Sequence, residues 1–185
     1  MSYTVHLFAS DLKALEAQMR DAPAKLLSQV REFMKDDDTL DSVEDLEYGL
    51  ELLDSFIQGE RDIEQEDLCS ALMWMADAVM ERVEVFELSC FRRIEYLEAT
   101  GIWQLFADET RWRVGKPGSI YAPEAGAIYT ADIRLKLDLL QSNPIAAKYS
   151  ESVKNAAENA RTEFVEVAES ISGDDMDMFA ILDTN

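Results

Sequence analysis

Histidine occurs once, as His6, and cysteine twice, as Cys69 and Cys90, in a chain of 185 residues. With a single imidazole, any histidine-based metal site or Ser-His-Asp arrangement would depend wholly on His6. A lone histidine in an alternating segment reads first as a structural residue. Two cysteines do not make a disulfide framework. If one helix spans both, they lie roughly 30 Å apart at ~1.5 Å per residue, too far to bridge. Their separation matches no zinc spacing. Both sit among apolar neighbours, in Leu68-Cys69-Ser70-Ala71-Leu72 and Leu88-Ser89-Cys90-Phe91, as buried inert thiols do. A reduced, cytoplasmic setting is expected.

Seven glycines and four prolines suit long helices better than a many-turned β sandwich. The glycines form neither a phosphate-cradling loop nor a dinucleotide fingerprint. The longest apolar run falls far short of the ~20 residues that cross a bilayer. Met1 to Ala9 carries no basic start, long apolar block or small-residue cleavage site, so no signal peptide is expected. Hydrophobic residues still make up 48%, enough for a core. Length and the lack of repeats or linkers point to one domain over 1–185.

Bases are the last shortage: 17 against 38 acids, a net charge of −21. Such a chain repels nucleic acid and anionic membranes and attracts basic patches. Solubility is the plainer reason for the charge, and a basic partner is the functional one.

What is present sorts into an α+β pattern, predominantly helical, with about six helices. Residues Ser2 to Ala9 alternate, with Tyr3, Val5 and Leu7 opposite Thr4, His6 and Phe8, as in a strand. Ser10 offers an N-cap to a helix bearing Leu12, Leu15 and Met19. Pro23 opens a second helix with Leu26, Leu27, Val30, Phe33 and Met34, which Asp36-Asp37-Asp38 ends. Asp41 or Ser42 starts a third, whose Val43, Leu46, Leu50, Leu53 and Ile57 make a buried stripe. Gln58-Gly59 ends it. A fourth runs from Glu64–Asp67 through Leu68, Leu72, Met75, Val79, Val83 and Phe86 towards Leu97, stopped by Thr100-Gly101. The stretch from Ile102 to Pro123 is irregular, with Thr110 to Val114 a short strand and Lys116-Pro117-Gly118 a turn. Thr130 caps a helix bearing Ile133, Leu137 and Leu140, which Asn143-Pro144 stops. Ser150 or Ser152 opens the last helix, Gly173 ends it, and Met176 to Leu182 forms a closing strand. Two strands alone are marginal, so the first and last are expected to share a small sheet, with Thr110 to Val114 a possible third member.

No catalytic motif is found, and no cofactor or metal is expected. Asp36-Asp37-Asp38 with Asp41, and Asp174-Asp175-Met176-Asp177, are the candidate cation clusters. Neither has the glycine and terminal glutamate of an EF-hand loop, and solvated loop charge is the simpler reading. Segment 36–67 differs in degree, with fourteen acids and one base, Arg61. Glu44, Glu47, Glu51 and Asp54 recur at helical spacing, where like charges cost roughly 0.2–0.5 kcal/mol per pair. With Asp36, Asp37, Asp38 and Asp41 they form a candidate landing strip for a cationic partner. Tyr48, Leu52 and Phe56 serve either as its apolar anchor or as core. The opposite feature is a basic aromatic segment, Arg111, Arg113 and Lys116 with Trp103, Trp112 and Tyr121. It pairs with the protein's own acids, or lines a pocket around Trp103, Arg111, Trp112 and Arg113.

The opening strand followed by Ser10-Asp11-Leu12-Lys13-Ala14-Leu15, the Thr130-Ala131-Asp132-Ile133 helix start, and the Ala156–Ala168 helix running into Met178-Phe179-Ala180-Ile181-Leu182 resemble the YfbM-like group of uncharacterised bacterial proteins. The likeness covers the two ends, roughly half the chain. It implies a mixed α+β domain of unassigned activity and carries no site residue. In composition the chain is also similar to bacterial immunity proteins, which are small, acidic and cytoplasmic.

The expectation is therefore an acidic interaction protein, not an enzyme, that covers a basic surface on a toxin or nucleic-acid-binding protein. It would bind no nucleic acid or membrane directly. A DNA mimic, a small-molecule-binding domain or unrecognised enzyme using the Trp103/Arg111/Trp112/Arg113 pocket, and a scaffold subunit are the alternatives.

Overall fold

The N-terminal alternation becomes strand β1 (Tyr3–Ser10), and the closing strand becomes β4 (Asp177–Thr184). The two pair antiparallel along their whole length, from Tyr3 opposite Thr184 to Ser10 opposite Asp177. This computed structural model describes residues 3–35, 42–60, 65–88, 93–106, 110–114 and 124–184. Asp36, Asp37, Asp38, Asp41, Cys90, the Lys116-Pro117-Gly118 turn and Tyr121 lie outside the described residues. The protein is α+β and predominantly helical, with seven α-helices and a four-stranded antiparallel sheet among the described residues.

Two strands were not foreseen. The fourth helix stops at Val79, and Glu81–Leu88 turns back as β2 against β1. The expected single helix towards Leu97 is thus α4 (Gln65–Val79), then β2, then a separate α5 (Arg93–Thr100). The ambiguity is physical. Val79, Val83 and Phe86 keep a helical spacing, while Val83 and Val85 also alternate with Arg82 and Glu84. The second new strand, β3 (Glu124–Ile128), lies beside β4. Thr110 to Val114 is not a strand. It is a turn that touches the sheet at one bridge, Val114 to Ala125. Strand order is β2-β1-β4-β3.

Both faces of this sheet are covered. On one side Phe8, Ala125, Ala127, Phe179 and Ile181 pack under α1 (Leu12–Asp21), α2 (Pro23–Met34), α3 (Val43–Gln58) and α4. On the other, Val5, Leu7, Ile128, Met178, Ala180 and Leu182 meet the 3-10 turn Trp103–Phe106, α6 (Thr130–Ser142) and α7 (Glu151–Gly173). Period-2 alternation in β4 explains the split, since Met178 and Ala180 face one layer and Phe179 and Ile181 the other. α5 lies with the second layer, its Ala99 packing against Val153 and Ala157 of α7.

Gly126 shows how closely the second layer approaches. A Cβ there would stand 2.4 Å from the Phe106 carbonyl oxygen, a backbone atom that cannot swing aside. Gly126→Ala is expected to push the 3-10 turn off β3 and cost about 1–3 kcal/mol, read as a lower urea midpoint with an unchanged m-value.

Helix starts follow local chemistry, with one exception. Asp11, rather than Ser10, caps α1 by accepting from the Ala14 N–H at 2.9 Å. Ser42 and Ser150 cap α3 and α7 by accepting from Asp45 N–H at 3.1 Å and Val153 N–H at 3.4 Å. The exception is Asp177, only 7% exposed at the start of β4. Its Oδ2 accepts from the Leu12 N–H of α1 at 2.9 Å. Its Oδ1 accepts from the Thr130 N–H and hydroxyl of α6 at 2.7 and 2.9 Å. Thr130 therefore does not cap α6 as expected. It lies inside the helix and is itself held by Asp177.

Helix ends meet at a single base. Arg161 of α7 donates to the Ala99 and Thr100 carbonyls at the end of α5, at 3.4 and 2.6 Å. It also donates to the Leu140 and Asn143 carbonyls at the end of α6, at 3.3 and 2.7 Å. Gly101, at φ +67°, turns the chain away from α5 beside this guanidinium.

Candidate functional site

On α3 the expected acidic strip is only partly a free surface. Glu44 and Glu51 are exposed. Glu47 is half-buried and ion-paired with Arg31, which reaches across from α2 in a bidentate contact whose second arm measures 2.9 Å. Hydrogen bonds from Arg31 hold the Glu47 carboxyl below the usual carboxylate range. Asp54 is half-buried and accepts from the Gln58 side chain at 2.8 Å. The strip of four is thus two exposed carboxylates and two partnered ones. The bare strip was expected because no base lies inside α3, and Arg31 is sixteen residues away on a neighbouring helix.

At ~100° per residue, Val43 and Tyr48 bracket Glu44, Glu47, Glu51 and Asp54 on the helix circumference. Val43 is 74% exposed and Tyr48 45% exposed, and the Tyr48 hydroxyl donates to Asp67 at 3.1 Å. Of the other suggested anchors, Phe56 is core and Leu52 packs against the core.

A second acidic face lies on the opposite layer. Glu158, Glu163, Glu166 and Glu169 are all exposed on α7, spanning ~16 Å at ~1.5 Å per residue. Among the described residues no ion pair joins them to a base. Their spacing was a readable signal, overlooked beside the denser acids of 36–67. The negative field is therefore not confined to the third helix.

Several bases, by contrast, are engaged within the fold, whereas Lys13, Lys25 and Arg134 are exposed. Arg82 donates twice to Asp77 at 2.6 Å, donates to His6 Nδ1 at 3.0 Å and lies over the Phe8 ring. Arg111 donates to the Ile57 carbonyl at the end of α3, at 2.5 Å. Lys35 pairs with Glu32, Lys154 with Glu151, and Arg20 with Asp21. His6 sits in the Arg82 cluster.

The proposed pocket of Trp103, Arg111, Trp112 and Arg113 is not assembled. Trp112 is wholly buried on the α1–α4 side, edge-on to Phe179, whereas Trp103 packs on Phe106 on the other side of the sheet. The two tryptophans, nine positions apart in sequence, belong to different layers, so proximity in sequence did not translate into a shared cavity. Arg113 is half-buried in the same turn as Trp112.

Trp112 instead helps tie down an acid. Its indole N–H and the Tyr129 hydroxyl both donate to Glu16 Oε1, at 2.8 and 2.6 Å. Burial, and then the Glu16 carboxylate, push the Tyr129 hydroxyl far above the usual tyrosine range. A raised folded-state value means stability that is complete below the unfolded value, near 10, and lost as pH rises through the folded one. Tyr129→Phe is expected to lose about 1 kcal/mol at neutral pH with its hydrogen bond. It should also flatten the alkaline fall in urea stability that the parent shows above pH ~10.

Of the cation clusters, Asp177 is not solvated loop charge, because it caps two helices. Asp174 closes α7, and Asp175 takes a left-handed conformation at φ +59°. Among the described residues no group of three or more His, Cys, Asp or Glu side chains is placed to hold a metal ion. Cys69 is buried. No described helix is long and apolar enough to cross a membrane. No family model, curated protein or solved structure matches the chain.

Proposed function

We propose that this is an acidic interaction protein that binds and inhibits a basic partner, of the immunity-protein or antitoxin type, with the outer side of α3 as its contact face. The disposition of charge carries this reading. Arginines at 31, 82, 111 and 161 are turned to carboxylates or carbonyls of the same chain, while Glu44, Glu51, Glu158, Glu163, Glu166 and Glu169 face outward. The outward field is negative on both sides of the sheet, and it attracts cationic surfaces over a Debye length.

Charge alone steers, and a contact needs an apolar anchor. Val43 and Tyr48 supply one on α3, next to Glu44 and Glu51, whereas α7 has no exposed large hydrophobic residue. α3 is therefore the docking side, and α7 adds to long-range attraction. The likeness of the two chain ends to the YfbM-like group stands beside this as a proposal about the frame, and it supplies no residue role.

The test uses the basic protein recovered from the native host by pull-down. Glu44→Gln with Glu51→Gln and Tyr48→Ala should raise the dissociation rate about tenfold or more. Neutralising the four α7 glutamates should mainly slow association. If both sets together leave capture unchanged, the proposal is wrong.

A further inference from the structure

Large hydrophobic side chains are rarely left in water in this fold. Among the described residues five are exposed, and two of these, Leu135 at 59% and Leu139 at 52%, stand one turn apart on α6. At ~100° per residue, Ala131, Leu135, Leu139 and Ser142 share one ~80° sector of the helix, and all four are exposed. The opposite side of α6 carries Ile133, Leu137 and Leu140 into the core. Core packing accounts for those three and leaves the outward leucines without a partner of their own kind.

Charge along the helix singles out the same face. α6 holds two acids, Asp132 and Asp138, and two bases, Arg134 and Lys136, so it is formally neutral in a chain of net charge −21. Two copies of so acidic a protein repel each other, and they approach most easily where the field is weakest. Arg134 and Asp138 are exposed on one flank of the leucine sector. Among the described residues neither makes an ion pair within the chain, although they stand four positions apart.

The pattern is complementary to itself. A two-fold axis crossing α6 near Lys136 and Leu137 lays a second α6 antiparallel on the first. Leu135 then meets Leu139 of the second copy, and Arg134 meets Asp138 of the second copy, each contact occurring twice. One axis serves both pairs because their midpoints differ by a single residue. On the other flank an apolar hollow of about 450 Å³ opens beside Leu139, walled by Leu105, Leu140 and Ile145. A ridge next to a hollow is a shape that two helices can share.

We propose that the outer face of α6 is a self-association surface, on which a second copy of this chain docks antiparallel through Leu135, Leu139, Arg134 and Asp138. α3 belongs to the layer on the other side of the sheet, so the dimer leaves that contact face open and does not rest on its assignment. One helix face is small for a permanent interface, so the dimer is weak and reversible. Repulsion between the two acidic chains outweighs two exposed ion pairs, so salt strengthens the dimer.

Sedimentation equilibrium of the full chain, up to ~1 mM protein and at ~0.05 and ~0.5 M salt, tests this. A single monomer–dimer equilibrium is expected, at least about threefold tighter at the higher salt. Leu139→Glu should weaken it about tenfold or more, and so should Arg134→Glu, which sets like charges against each other. Exchanging the pair, Arg134→Asp with Asp138→Arg, should restore the parent value within about threefold. Tyr48→Ala on α3 should leave the dimer unchanged, which separates this surface from the one that meets a basic partner. Unfolding midpoints establish that each variant remains folded. A monomer under all these conditions overturns the proposal, and so does assembly that continues past the dimer. A dimer that is indifferent to the leucine and arginine changes, is lost in Tyr48→Ala, or is not recovered by the exchanged pair overturns it as well.

Discussion

Asp177→Ala is expected to cost about 3 kcal/mol and to loosen the starts of α1 and α6 together. A single helix cap contributes about 0.5–2 kcal/mol, and this carboxylate closes two helices while buried at 7% exposure. Leaving buried N–H groups without an acceptor adds to the loss. Asp11→Ala, which removes one exposed cap from α1 alone, is the natural comparison and should cost about 1 kcal/mol. Asp177→Asn should fall between the two, because one amide oxygen can still serve one helix while the amide nitrogen faces the N–H of the other. Urea denaturation of the four proteins checks the order. Hydrogen exchange should show faster opening at both helix starts in Asp177→Ala, and an effect on only one would contradict the shared cap.

Arg161→Met should be of similar size, about 3 kcal/mol, lowering Tm by roughly 6–12 °C at 2–4 °C per kcal/mol. Methionine keeps the hydrocarbon stem but strands the carbonyls of Ala99, Thr100, Leu140 and Asn143. It also removes the positive charge that offsets two helix C-termini. Burial draws the Arg161 guanidinium below the usual arginine range, and Glu158 partly opposes this. Arg161→Lys keeps the charge but not the planar fork, so it should recover only part of the loss. A full rescue by lysine would show that charge, and not the four directed hydrogen bonds, holds the two helix ends.

Both residues illustrate where sequence reading stops. β1 and β4 were legible because alternation is a local signal and their pairing follows from covering both faces of a central strand. α2, α3, α6 and α7 were legible from apolar spacing and from punctuation at Pro23, Ser42, Gly59, Asn143 and Ser150. β2 was hidden because no glycine or proline separates Val79 from Glu81, and the apolar positions satisfy two periods at once. β3 was hidden because Glu124-Ala125-Gly126-Ala127-Ile128 is built of small residues with little strand preference. Gly126 is there because the Phe106 backbone leaves no room for a side chain, a tertiary reason.

The site followed the same rule. The acids of α3 and the aromatic Trp103 and Trp112 could be picked out by type and spacing. Whether they were exposed, paired or on the same side of the sheet depended on residues far along the chain. Arg31 neutralises Glu47 from another helix, and Asp177 caps Leu12 across 165 positions. On α7 the two bases are taken up elsewhere, Lys154 by Glu151 and Arg161 by the ends of α5 and α6, which leaves Glu158, Glu163, Glu166 and Glu169 exposed.

The central claim is that this inward use of arginine leaves a surface designed by its charge to meet a cationic partner. The affinity of the complex between the protein and its recovered partner, measured across ionic strengths from ~0.05 to ~0.5 M, tests it most directly. Affinity should fall steeply over that range, mostly through slower association, and the slope should flatten when Glu44, Glu51 and the four α7 glutamates are neutralised. An affinity that holds constant with salt, or a slope unchanged in the neutralised protein, would contradict the account.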